Sequence, residues 1–280
     1  MTKALLITLL STLTLGAIAG DWGKAPVGKA PIEECIDLGG EITVGYMSDY
    51  YYRGFHVADS SLYADVNYTF DKLAVPVTIG ALYINSFDSS FFGLGFDTLR
   101  LYADADLGTF AGFDFNLKYT YHSFPEGFNP LPVGGFPVGD GVGEVSLGFS
   151  RDLGFATLVG SANYYLEEGS PLIGSPDLGF YGNVGLEKSI GLTDNISLVL
   201  AGGVGYVDMF GGSVTAIRGW NHYYLTASLP IQLNCRTTLT PYIGFNNQSS
   251  FTSIFNPVNL APSIPDGDDL HGGVSISVTF

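Results

Sequence analysis

The chain has 280 residues, a net charge of −16 and only 14% Asp, Glu, Lys and Arg, against about 25% in an ordinary soluble domain. Such acidity excludes the basic patches that nucleic-acid binding requires. An aromatic content of 14% excludes a disordered chain, and beyond the amino-terminus no stretch approaches the ~20 apolar residues of a spanning helix.

Residues 1–20 read as a secretory signal peptide. Lys3 gives the positive end, Ala4 to Leu15 the apolar run, and Ala17-Ile18-Ala19 the small-residue cleavage site. Cleavage removes Lys3 and no acid, so the mature charge is −17. Residues 21–38, with two Lys-Ala-Pro triplets and little periodicity, read as a flexible periplasmic lead-in.

From Gly39 to Phe280 a period of two takes over, the mark of strands with one apolar face. Ile42, Val44, Tyr46, Tyr50 and Tyr52 alternate with Thr43, Asp49 and Arg53, and Leu62, Val66 and Phe70 alternate with Asp65 and Asn67. A third, noisier strand runs through Val77, Ile79 and Tyr83, with Leu82 on the opposite face. The cleanest pair follows: Leu99 to Leu107 interleaved with Arg100, Asp104 and Asp106, then Phe113 to Tyr121 interleaved with Asp114, Lys118 and His122. Val145, Leu158, Leu178, Ile196, Tyr223 and Leu239 begin six more, and Val274, Ile276, Val278 and Phe280 form the last, which ends with the chain. The count is about twelve.

No charged residue falls on the apolar face of these strands. An Arg or Lys at mid-membrane on that face costs about 2–4 kcal/mol, a penalty a water-facing sheet lacks. Short turns after even strands, such as Asp71-Lys72, alternate with longer connections such as 122–141 and 248–269. Tyr50, Tyr52, Tyr83, Tyr164 and Tyr223 collect toward the long-loop side, and Phe70, Phe113, Phe149 and Phe280 toward the other. Loop asymmetry and aromatic girdles predict an antiparallel, up-and-down transmembrane β-barrel over residues 39–280, in the cell outer membrane. A soluble β-sandwich does not need that asymmetry.

On this reading the lumen is lined by Asp49, Asp65, Asp104, Asp106, Asp114, Glu144, Glu167 and Glu187, against Arg53, Arg100 and Lys118. The expected function is a narrow, porin-like channel for passive passage of small solutes, with cations favoured by the excess of carboxylates. The alternative is a non-conducting structural or surface-binding barrel whose interior polar groups pair with one another. A rim-located hydrolase is the lesser alternative. Its histidine candidate, His122, neighbours Ser123, but adjacent strand residues point apart.

Cys35 and Cys235 both fall on the predicted periplasmic rim, where a disulfide between them is expected. No metal or cofactor is expected. Two cysteines without a nearby histidine make no metal set, Pro265 to Asp269 lacks the spacing of a calcium loop, and the Gly139–Gly143 run precedes a strand. The partners expected are outer-membrane lipid and small solutes, with the oligomeric state left open. The apolar loops Phe87–Phe96, Phe124–Val138 and Phe251–Ile264 fit a plug, a vestibule or a contact surface.

Ser48 to Gly54 reads SDYYYRG on the first strand. This resembles the opening motif of the Gcw_chp-like bacterial outer-membrane barrels. The resemblance implies the fold and the location and supplies no substrate. At this position Asp49 and Arg53, four residues apart, are candidates for a lumenal charge pair, or Arg53 reaches solvent at the loop.

Overall fold

Apolar side chains of the strands point outward and polar ones inward, the reverse of a soluble protein. Ile42, Val66, Leu101, Leu117, Leu147, Leu186, Leu225 and Val278 are exposed. Thr43, Asp104, Asn116, Thr120, Ser146, Asn163, Ser275 and Ser277 are buried. Water outside would make this arrangement unstable, whereas hydrocarbon outside makes it the stable one.

The computed structural model describes residues 38–88, 97–123, 141–166, 177–211, 215–248 and 268–280. In chain order the strands are β1 Gly40–Tyr52, β2 Phe55–Phe70, β3 Val77–Asp88, β4 Thr98–Phe110, β5 Phe113–Ser123, β6 Gly141–Asp152 and β7 Thr157–Leu166. They continue with β8 Asp177–Gly191, β9 Ser197–Gly211, β10 Thr215–Ser228, β11 Ile231–Gln232, β12 Thr237–Gln248 and β13 Asp268–Thr279. β11 is only two residues long, so twelve strands build the wall.

Each wall strand pairs antiparallel with its neighbours, β10 pairs β12, and β1 pairs β13 from Glu41↔Thr279 to Met47↔Gly273. The cylinder is therefore closed and has no free edge. Both ends of the wall meet at one rim, where the backbone N–H of Gly40 donates to the carbonyl of Phe280 at 3.1 Å. At that rim Lys188 leaves the outer face by donating to the carbonyl of Phe155 at 2.7 Å, as a long cation near an interface does.

One hairpin departs from the wall. β1 leaves β13 after Met47, and among the described residues β2 pairs with β3 only from Asp59 onward, yet β1 and β2 stay paired to each other as far as Tyr52↔Phe55. Ser60 takes a left-handed φ of 53° near the departure point, and the β1–β2 register shifts between Tyr50 and Tyr51. The turn itself is two residues, Arg53 (φ 56°) and Gly54 (φ 83°). Positive φ at both positions is the primed hairpin turn that suits the twist of paired strands. Arg53 holds it at a cost on the order of 1–2 kcal/mol. The sequence pattern suggested a loop between Arg53 and Ser61; the strands instead continue through that interval.

The hairpin folds into the barrel. Met47, Tyr50, Val57, Ala58, Tyr63, Leu82 and Ile84 form a buried apolar cluster, which explains the noise in β3. Leu82 on its lumenal side packs against the hairpin. Tyr50, expected on the lipid face, is 1% exposed, and Tyr52 packs against the same cluster. Beyond Met47 both faces of β1 lie inside the cylinder, so alternation no longer separates lipid from lumen. Tyr83, Tyr164 and Tyr223 do face outward. The loop segments 89–96, 124–140 and 251–264 lie outside the described residues, as do the signal peptide and most of the lead-in.

Candidate functional site

The hairpin tip meets the opposite wall in a buried layer near the loop end of the barrel. Arg53 donates from Nη2 to Glu144 Oε2 on β6 at 2.7 Å, with the two side chains 2% and 6% exposed. Neither the candidate Asp49–Arg53 pair nor an Arg53 reaching solvent is found, because the inward turn carries Arg53 across the lumen. Asp49 stays at the root of the hairpin, accepting from Ser48 at 2.7 Å and lying 3.4 Å from His56.

Two asparagines hold the tip by its backbone. Asn221 on β10 donates to the carbonyl of Arg53 at 2.7 Å, and Asn246 on β12 donates to the carbonyl of Gly54 at 3.3 Å. Asn221 reaches inward because the β9–β10 register shifts between Trp220 and His222, a bulge that re-aims one side chain. Gly54 lies so close to β10 that a Cβ there would sit 2.3 Å from the His222 ring. Only glycine satisfies both its φ and that approach.

Tyrosines fill the layer. The Tyr52 hydroxyl donates to Glu144 at 3.2 Å and lies 3.0 Å from the Tyr165 hydroxyl. Arg53 stacks over the Tyr181 ring at 4.3 Å and Arg100 over Tyr52 at 4.6 Å, and Arg100 also donates to the Tyr50 hydroxyl. His122 is buried and faces Glu144 at 3.6 Å and the Tyr52 ring, away from Ser123.

Below this layer the lumenal acids are held differently. Asp65 accepts from Tyr102 at 3.0 Å, Asp104 accepts from Asn116 at 2.8 Å, and the Lys118 ammonium lies 4.2 Å from the Tyr102 ring centre. Glu187 is buried at 9% exposure, with Oε2 lacking a hydrogen-bond partner among the described residues. Asp106 accepts from the Gly108 N–H at 2.7 Å, and Asp114 accepts from Thr109, both at the terminal rim. Those two caps belong to the β4–β5 turn. Glu167 and Cys35 lie outside the described residues, and Cys235 sits in the turn before β12.

The sequence reading singled out Arg53, Arg100 and Glu144 but not their meeting. Nor did it find Asn221, Asn246, His222, Tyr165 or Tyr181, which look like ordinary strand residues until the hairpin arrives beside them. It named Asp49 but did not group it with His56 and Asp59, whose donor atoms lie within 4.8 Å of its own on the hairpin root. Those three have the chemistry to hold a divalent ion, although His56 also bridges the two carboxylates directly at 3.4 and 3.0 Å.

No protein-family model and no curated protein matches the chain in sequence. Solved structures do match in shape. An outer membrane channel from Pseudomonas putida F1 superposes with a TM-score of 0.53 at 12% identity, over 90% of this chain and 99% of that one. The KdgM porin gives 0.48 at 7% identity, over 86% and 99%. The translocator domain of the autotransporter NalP from Neisseria meningitidis gives 0.44 at 12%, over 88% and 90%. The fold is that of an outer-membrane β-barrel.

Proposed function

We propose that the protein is an outer-membrane channel for passive passage of small solutes, narrowed from the loop side by its own β1–β2 hairpin. The carrying observation is the closed cylinder with an apolar belt outside and hydrogen-bonded polar and charged side chains inside. An interior meant only as filler needs no such concentration of charge. The fold likeness to a known channel supports the reading, and so does the predicted signal peptide. The SDYYYRG resemblance to Gcw_chp-like barrels agrees with the location and acquires a physical meaning here, since those residues are the inward turn.

Selectivity in a narrow pore follows the charge at its constriction. Of the carboxylates counted in the sequence, Asp65, Asp104 and Glu187 lie below the constriction, Asp106 and Asp114 at the terminal rim and Asp49 at the hairpin root, whereas the constriction holds Arg53 and Arg100 against Glu144. The proposal therefore drops the cation preference that a simple count of acids suggested. The non-conducting alternative draws on the same hairpin, whose buried latch fills the lumen from one end. Neither reading gives His122 a catalytic part: it is buried with its Nε2 3.6 Å from Glu144.

Planar-bilayer recording separates the two. The channel reading expects small, steady unitary currents from the folded wild-type protein, and larger ones when residues 50–57 are replaced by a short glycine turn. Silence from both proteins would remove it.

A further inference from the structure

We propose that Arg53 and Arg100 form a binding site for the carboxylate of a small organic monoanion at the constriction. The two side chains come from different elements, the hairpin tip and β4, and are 5% and 6% exposed. Both guanidinium carbons lie over the same ring, 5.2 and 4.6 Å from the centre of Tyr52. An arginine carries five N–H donors in a fixed fork and is charged at any physiological pH. Here Arg53 uses Nη2 on Glu144 and Arg100 uses Nη2 on Tyr50. Arg53 Nε and Nη1 and Arg100 Nε have no acceptor among the described residues, although all three are buried.

The charge balance points the same way. Among the described residues, the groups facing the two guanidiniums are Glu144, His122, His222, Lys118 and the phenols of Tyr50, Tyr52, Tyr165 and Tyr181. Lys118 also faces Asp65 and Asp104, so Glu144 is the one described carboxylate left to stand against the two fixed cations. One further negative charge completes the set, and a planar carboxylate matches the guanidinium fork. A doubly charged phosphate ester would overshoot. Tyrosine rings around the site offer flat surfaces for the body of the solute. Arg53 contributes only because the hairpin is folded inward, so the selectivity element and the constriction are one device.

This inference rests on the reading of the lumen as a passage, but binding can be measured without transport. The mature, full-length protein in detergent is titrated calorimetrically with sodium gluconate, and with glucose as the uncharged counterpart. The expected result is saturable gluconate binding at least tenfold tighter than glucose. Arg100→Gln is expected to weaken gluconate at least tenfold, and Arg100→Lys, which keeps the charge and loses the fork, by severalfold. Asp114→Asn in the distant terminal turn serves as the unchanged control. Folding of each variant is checked by heat-modifiable migration on gels, and the lysine variant carries the test if the glutamine variant does not fold. Equal affinity for gluconate and glucose, or undiminished binding in the folded Arg100 variants, would overturn the site. Gluconate binding in a protein that never conducts would leave the site standing and remove the channel.

Discussion

The wall strand β6 and the tip of β1 obey the same period-two rule and mean different things by it. In β6, Leu147 is exposed to hydrocarbon while its neighbour Ser146 is buried, and Ser146 donates to Glu144 at 2.9 Å. Beyond Met47, Tyr50 of β1 and Arg53 of the turn that follows are both buried, and both faces of the hairpin look onto protein. Alternation reports two environments only where a strand separates them. A hairpin inside the lumen keeps the pattern and loses its meaning.

Variants on the two regions should fail in different ways. The largest effect is expected for Glu144→Ala, which leaves the buried Arg53 without its carboxylate. Breaking one side of such a pair costs about 3–5 kcal/mol. The loss should appear as hairpin release, with larger and noisier single-channel currents. On the wall, Leu147→Arg places a cation against hydrocarbon and should cost about 2–4 kcal/mol in urea unfolding from lipid vesicles. Its unitary current should stay at the wild-type level, because the side chain points away from the lumen.

Gly54→Ala adds a methyl group at a left-handed turn and 2.3 Å from His222. Strain and overpacking of this kind cost about 1–3 kcal/mol, so hydrogen exchange of residues 48–58 should rise while the wall stays protected. Asn221→Ala removes one hydrogen bond to the tip, worth about 1 kcal/mol, and should make the current flicker without moving the unfolding midpoint measurably. The smallest expected effect concerns the rim. Cys235 should resist alkylation until reductant is added if it is bridged to Cys35, and ready labelling without reductant would refute that bridge.

Much of the wall was legible because its physics is local. Period two, a charge-free outer face and the short turns at the terminal rim are properties of each strand and its neighbours. The alternation placed Leu101, Leu117, Leu147 and Val278 outward, and Asp104, Glu144 and Glu187 inward. The site was legible only in its parts. Arg53 and Glu144 are 91 residues apart, and nothing in their spacing says that the turn between β1 and β2 crosses the lumen. The signals were present as irregularities: Leu82 apolar on the polar side of β3, a glycine directly after Arg53, and Asn221 next to His222 where one residue should face lipid. Each looks like noise in a wall strand and becomes a contact once the hairpin is inside.

The location of that hairpin is tested most directly by quenching from brominated acyl chains. In a background with Trp22 and Trp220 replaced by Phe, single indoles are introduced by Leu147→Trp and, separately, by Tyr50→Trp. The account predicts strong quenching of the first and almost none of the second, although strand alternation assigns both positions to the lipid face. Equal quenching of the two would place the tip of β1 in the membrane wall and contradict the account.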